Sequence, residues 1–165
     1  MANAVKLNGG SFSLVNGEAG AAYAWSMEAV ANAAGRVSAQ IDLGALPRGA
    51  IIDWECSAQF QATPTQGKGI ELYAAGADQS SSRIDGDVGS TDAALGDVDM
   101  RRNLMQFGYV VSENAAASEA CNASGSFSWT KRYISFVGYN DSGATINATD
   151  SNFIFYFRVM YPEVQ

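Results

Sequence analysis

Along most of this chain apolar and polar residues take turns. Val37, Ala39, Ile41 and Leu43 alternate with Arg36, Ser38, Gln40 and Asp42. Ile52, Trp54, Cys56, Ala58 and Phe60 alternate in the same way with Asp53, Glu55, Ser57 and Gln59. A period of two is that of a strand with one face in a core and the other in water. "GIELYAAG" predicts another strand, with Ile70, Leu72 and Ala74 on one face, and "LMQFGYVVS" a further one with Met105, Phe107, Tyr109 and Val111 aligned. "SGSFSWTKRYISFVGYN" holds one long strand or two joined by a bend. Its inward set is Phe127 and Trp129, then Ile134 and Phe136 or the opposite parity. "GALPRG" reads as a turn, "DSGAT" as a hairpin turn, and "SFSLV" as an N-terminal strand.

Two stretches admit a helix. In "AYAWSMEAVANAAG", Tyr23, Met27, Val30, Ala31 and Ala34 fit a helical stripe with Gly35 as its C-cap, although an alternating reading also works. "TDAALGD" suits a short helical turn, with Thr91 or Asp92 as N-cap.

The last strand, "NFIFYFRVMYPEVQ", departs from the alternation. Phe153, Phe155, Phe157, Val159 and Tyr161 share one parity, and Ile154, Tyr156 and Met160 share the other, interrupted by Arg158. A strand apolar on both sides is expected to be covered on both. Phe153, Phe155 and Phe157 are expected inside. The other side, with Ile154, Tyr156, Arg158, Met160 and Tyr161, is expected to meet a neighbouring subunit or the chain's own N-terminal segment. Arg158 is expected to pair with an acid or lie at a rim, because an isolated buried charge is too costly.

About eight strands at this spacing, with at most one or two short helices, predict an all-β sandwich of jelly-roll type. Periodicity alone does not separate a jelly roll from an immunoglobulin-like sandwich. Ile52, Trp54, Phe60, Leu72, Phe107, Phe155 and Phe157 are its predicted core. No composition shift splits residues 1–165, so one domain is expected, with 1–22 as an N-terminal arm. A chain of 165 residues buries roughly 70% of the surface its unfolded form exposes, enough for one such core.

Charge narrows the function. A net charge of -7, with only the short pairs Lys131-Arg132 and Arg101-Arg102, argues against nucleic-acid binding. No run is long enough to cross a bilayer as a helix, and the first ten residues lack the apolar run of a signal peptide, so a soluble protein made in a cytoplasm is expected. In that compartment Cys56 and Cys121 are expected as buried thiols. Sequons at Asn122, Asn140 and Asn147 then reflect only Asn/Ser-rich loops.

The absence of histidine removes Ser-His and Cys-His catalysis and histidine metal sites. Paired acids for glycoside hydrolysis would have to come from Glu28, Glu55, Glu71 or Glu113, all expected on solvated faces. Asp85, Asp87, Asp92, Asp97 and Asp99 offer calcium-type oxygens, but Gly89 and Gly96 stand where an EF-hand loop needs acids. No enzyme, metal or cofactor is therefore expected. Trp25, Trp54, Trp129 and the tyrosines of the last strand could instead form a sugar-stacking platform; the alternation favours core, most clearly for Trp54.

"GKGIELYAAGADQSSSRIDGDVGSTDAAL", "NLMQFGYVVS", "SGSFSWTKRYISFVGYNDSGATI" and the closing "PEVQ" occur in that order. Together they resemble a family of small structural proteins of tailed bacteriophages, over about the last two-thirds of the chain. The ending is one residue shorter than the family's usual form, with Tyr161 before Pro162. The resemblance implies a virion protein assembled in the bacterial host cytoplasm, such as a capsid decoration or cement protein. Its partners would be the major capsid protein or other virion proteins and further copies of itself, as a dimer or trimer. A tail or neck protein, and a carbohydrate-binding sandwich, are the alternatives.

Overall fold

The chain folds into two antiparallel sheets, seen in a computed structural model that describes residues 5–9, 13–15, 23–44, 50–80, 84–113, 116–117, 119–149 and 152–164; for 5–9, 13–15 and 161–164 only the backbone is described. The strands are β1 (Val5–Gly9), β2 (Ser13–Val15), β3 (Ala34–Val37), β4 (Ile41–Asp42), β5 (Ala50–Ala58) and β6 (Gly69–Ala77). They continue as β7 (Ala93–Ala94), β8 (Met105–Val111), β9 (Cys121–Trp129), β10 (Tyr133–Asn140) and β11 (Phe153–Val164).

One sheet runs β1-β11-β5-β9, with β2 also on β11; the other runs β7-β3-β10-β6-β8, with β4 also on β10. Counting β1 with β2 and β3 with β4, and leaving out the two-residue β7, the eight principal strands in chain order stand as 1-8-3-6 and 2-7-4-5. That order is a jelly roll, and it excludes the immunoglobulin-like arrangement. Consecutive strands repeatedly cross between sheets. "SGSFSWTKRYISFVGYN" is therefore two strands, β9 and β10, in opposite sheets. "DSGAT" turns, with Gly143 at φ 84°, but it links β10 to β11 across the sandwich and is not a hairpin.

The alternation in β5 arises because its inner face meets the facing sheet: Ile52, Trp54, Cys56 and Ala58 are buried, as are Phe60, Leu72, Phe155 and Phe157. Trp25 stacks on Phe136 at 5.8 Å and meets Phe153 and Phe155 edge-on at 5.3 and 5.2 Å. Its indole N–H donates to the Arg36 carbonyl at 3.2 Å, so the polar atom is satisfied while the ring is buried. Fully burying side chains of this kind contributes roughly 1.5–3 kcal/mol each.

Three local expectations are corrected. Residues 23–33 form no helix: Trp25 and Met27 both point into the core, and Ala29 and Ala33 adopt positive φ of 58° and 60°. A right-handed helix cannot contain such residues. Gly35 lies inside β3, not at a helix end. "TDAALGD" contains the strand β7; the 3₁₀ turns lie on either side, at Asp85–Asp87 and Val98–Asn103.

The third correction concerns β8. Leu72 pairs with Gly108 and Tyr73 with Gln106, which leaves Phe107 as an extra residue. A bulge of this kind changes the parity of the strand. Phe107 turns inward, 4.7 Å from Phe127 and 5.3 Å from Trp54, and it is half-buried. Beyond the bulge Val110 is buried, while Met105 and Val111 are exposed.

The six-stranded sheet has its second face covered as well. Val88 and Leu95, with Met100 and Leu104, pack on Val37, Tyr73, Ala75, Val137 and Tyr139. Residues 84–104 thus form a strap over that sheet. They are the acidic stretch that offered calcium-type oxygens, and the apolar residues scattered through it are what hold it down.

Candidate functional site

The five-stranded sheet has no such cover among the described residues. β11 sits against β5 along its whole length from Phe153 to Met160, so its odd residues Phe153, Phe155 and Phe157 are buried in the core. The even residues form an outer surface: Tyr156 is 37% exposed, and Ile154, Arg158 and Met160 are half-buried. The N-terminal strands pair edgewise with β11, Leu14 opposite Tyr156 and Gly9 opposite Met160. They therefore extend the sheet and do not roof it. Strands β1 and β2 therefore do not supply the cover expected for the outer face of β11 from a neighbouring subunit or the chain's own N-terminal segment. The Tyr161 side chain and the remainder of residues 1–22 lie outside the described residues.

Register places the face in rows across β11, β5 and β9. Ile154 stands beside Ser57 and Asn122, Tyr156 beside Glu55 and Ser124, Arg158 beside Asp53 and Ser126, and Met160 beside Ile51 and Ser128. Residues opposite one another in antiparallel strands project to the same side, with Cβ atoms about 4.5–5.5 Å apart. Between the ring of Tyr156 and the short side chains of Ser57 and Ser124 lies a groove of about 540 Å³, which Glu55, Asn122 and Ile154 also line.

Electrostatics differ from row to row. Arg158 donates from Nε and Nη2 to one carboxylate oxygen of Asp53, at 3.0 and 2.8 Å. This is the acid partner expected for Arg158. Glu55, one row away and exposed, makes no ion pair among the described residues. Among the described residues the groove therefore carries one negative charge without an ion-pair partner.

The other candidates are dispersed. Asp92 accepts from Ser26 N, Ser26 Oγ and Arg36 Nε at 3.1, 2.6 and 2.6 Å, and Asp85 binds Lys131 at 2.7 Å and the Gly76 amide at 3.1 Å. Asp97 caps the 3₁₀ turn through the Asp99 amide, and Asp99 pairs with Arg102. Asp92 and Asp85 thus tie the strap to the rest of the chain, and among the described residues no group of three or more metal-ligating side chains occurs. Glu71 is likewise engaged: Tyr73 donates to it at 2.6 Å, and Arg101, stacked 3.7 Å over the Tyr139 ring, lies 3.2 Å away. Burial, and then that bond to Glu71, push the Tyr73 hydroxyl up to about 12.

The four cations once read as two basic pairs each hold a different acid, Lys131 with Asp85, Arg132 with Asp42, Arg101 with Glu71 and Arg102 with Asp99. All three tryptophans are buried, which removes the tryptophan sugar platform and leaves Tyr156 as the exposed ring of the last strand among the described residues. Cys56 and Cys121 are free, buried thiols on adjacent strands, Cys56 opposite Ala123 and Cys121 opposite Ala58. Asn140 is buried, its side chain donating to the Val30 and Ala144 carbonyls and accepting from the Ser142 amide, so that sequon is structural. No helix among the described residues is long and apolar enough to cross a membrane.

Sequence reasoning had named Ile154, Tyr156, Arg158 and Met160, and register brings them onto one face. It named Glu55 only as a solvated acid and Asn122 only as a sequon, and it did not place them, Ser57 or Ser124 on this face. Glu55 and Ser57 occupy the polar positions of the β5 alternation, so their signal existed. Which strand lay beside them was not readable. No protein-family model and no curated protein matches the chain.

Proposed function

We propose that this protein is a structural component of a bacteriophage virion, a capsid decoration or cement protein that works by docking and performs no catalysis. The single observation carrying this reading is the unequal treatment of the two sheet faces. One is closed by the chain's own strap, while the other presents Ile154, Tyr156 and Met160 without a cover among the described residues. Exposed apolar surface flanked by polar residues commonly marks protein contacts. The ordered motifs "GIELY", "DGDVGSTDAA" and "RYISFVGYNDSG" supply the bacteriophage context. A rigid jelly roll with short polar side chains around the apolar positions suits many weak, repeated contacts, which gain strength from copy number. The major capsid protein is the partner in this reading, and further copies of the chain form a dimer or trimer.

The test is electron microscopy of particles assembled with and without the protein, together with sedimentation of the added protein. Bound protein is expected on the shell surface. Tyr156→Asp with Met160→Lys is expected to abolish that density while the isolated chain stays folded. Normal decoration by the doubly substituted protein overturns the assignment of this face.

A further inference from the structure

We propose that the groove between Glu55 and Tyr156 receives a cationic side chain, arginine or lysine, carried by the protein on which this face docks. The proposal rests on the docking reading for the identity of that protein, but the groove itself can be tested alone.

Three features converge. Glu55 and Tyr156 are direct cross-strand neighbours, so a carboxylate and an aromatic ring stand side by side on one surface. Ile154, in the next row, offers an aliphatic wall for the stem of a long side chain, and Ser57 and Ser124 leave the depth for it. A cation over a ring and beside a carboxylate gains from both, and an arginine adds a planar fork suited to the carboxylate.

Charge selects the occupant. Asp53 is engaged by Arg158, whereas Glu55 has no cation among the described residues. The chain as a whole carries -7, so its field draws positive partners and repels acidic ones. A neutral sugar would use the hydroxyls and Asn122 but would leave the lone carboxylate uncompensated. Within this groove the lone carboxylate likewise favours a cation over an acidic group of a second copy, whose contacts in a dimer or trimer would use other surfaces.

The experiment uses the isotopically labelled full chain and follows amide resonances while Nα-acetyl-arginine amide is added. Nα-acetyl-glutamine amide and N-acetylglucosamine are the controls. Saturable shifts confined to Glu55, Ser57, Ser124, Ile154 and Tyr156 are expected with the arginine probe, weakened at least about fivefold by Glu55→Gln and by high salt. Glu55→Gln changes one exposed group and keeps the fold, which the unshifted remainder of the spectrum verifies. Absence of shifts, or shifts unaltered in Glu55→Gln, overturns the proposal. Shifts produced by N-acetylglucosamine in place of arginine also overturn it, in favour of a saccharide site. Arginine binding by a protein that never joins particles keeps the groove and removes the virion reading, so the two failures are distinguishable.

Discussion

Arg158 and Asp53 face each other across β11 and β5, with Nε and Nη2 of the guanidinium donating to one carboxylate oxygen. Because Arg158 sits among Tyr156 and Met160, this pair is what allows a charge to lie within an otherwise apolar parity. The side chains remain 38% and 22% exposed, so the pair belongs to the class whose coupling is small. A double-mutant cycle with Arg158→Ala and Asp53→Ala, read by urea denaturation, is expected to give about 0.2–1 kcal/mol. Coupling of several kcal/mol would show that the face is far less hydrated than its exposure indicates.

Gly108 and Trp54 supply a second expectation. A Cβ built at Gly108 would lie 2.5 Å from the Trp54 ring, and one built at Gly125 would lie 3.1 Å from it. The two glycines make room for the indole where β8 and β9 approach. Gly108→Ala should therefore destabilise by about 1–3 kcal/mol through overpacking. Adding Trp54→Phe, which shortens the ring, should restore part of that loss. Two purely additive effects would contradict the contact.

The strap should loosen before the core does. Asp92→Ala leaves the Ser26 amide and Arg36 without their carboxylate and is expected to cost about 1–3 kcal/mol. Hydrogen exchange should accelerate at Ala93–Leu95, whose amides include the bond from Leu95 to the Gly35 carbonyl, while β5 and β11 keep their protection. Uniform acceleration across both sheets would mean that the strap and core open as one unit.

Asp42 sets an acid limit. The Arg132 guanidinium bonds it at 2.9 and 2.7 Å and, with the Gly44 amide, holds its carboxyl at about 2 against an ordinary 3.8. The folded chain then takes up this proton at lower pH than the unfolded chain. The stabilisation is complete above about 3.8 and is lost as pH falls through about 2. Carboxylate titration followed by NMR should place the Asp42 midpoint near 2 and return it towards 3.8 in Arg132→Leu.

Strands legible in the sequence were those whose two faces differ. β5 and the inner parity of β11 alternate because one side meets core and the other solvent. β10 was harder to orient, because Ile134 and Phe136 enter the main core while Val137 and Tyr139 meet the strap. Its two parities are equally apolar for two different reasons. The β8 parity was lost at Phe107, since a bulge is decided by the partner strand and leaves no local mark. The stripe from Tyr23 to Ala34 looked helical because alanine tolerates every period. In the folded chain Trp25 and Met27 alternate inward. Of the site, half was visible in β11; the other half required knowing that β5 and then β9 lie alongside it.

The two buried thiols have a consequence for following this molecule in solution. Burial pushes both thiols up, so neither is a ready nucleophile in the closed sandwich. They stand on β5 and β9, the half of the five-stranded sheet farthest from the N-terminal strands. Alkylation by a neutral reagent thus acts as a stopwatch for separation of that half. A modification rate that follows the reagent concentration reports how often the strands are apart; a rate that stops rising with it reports how fast they part. Because the strap packs on the other sheet, its movements would leave the clock unaltered.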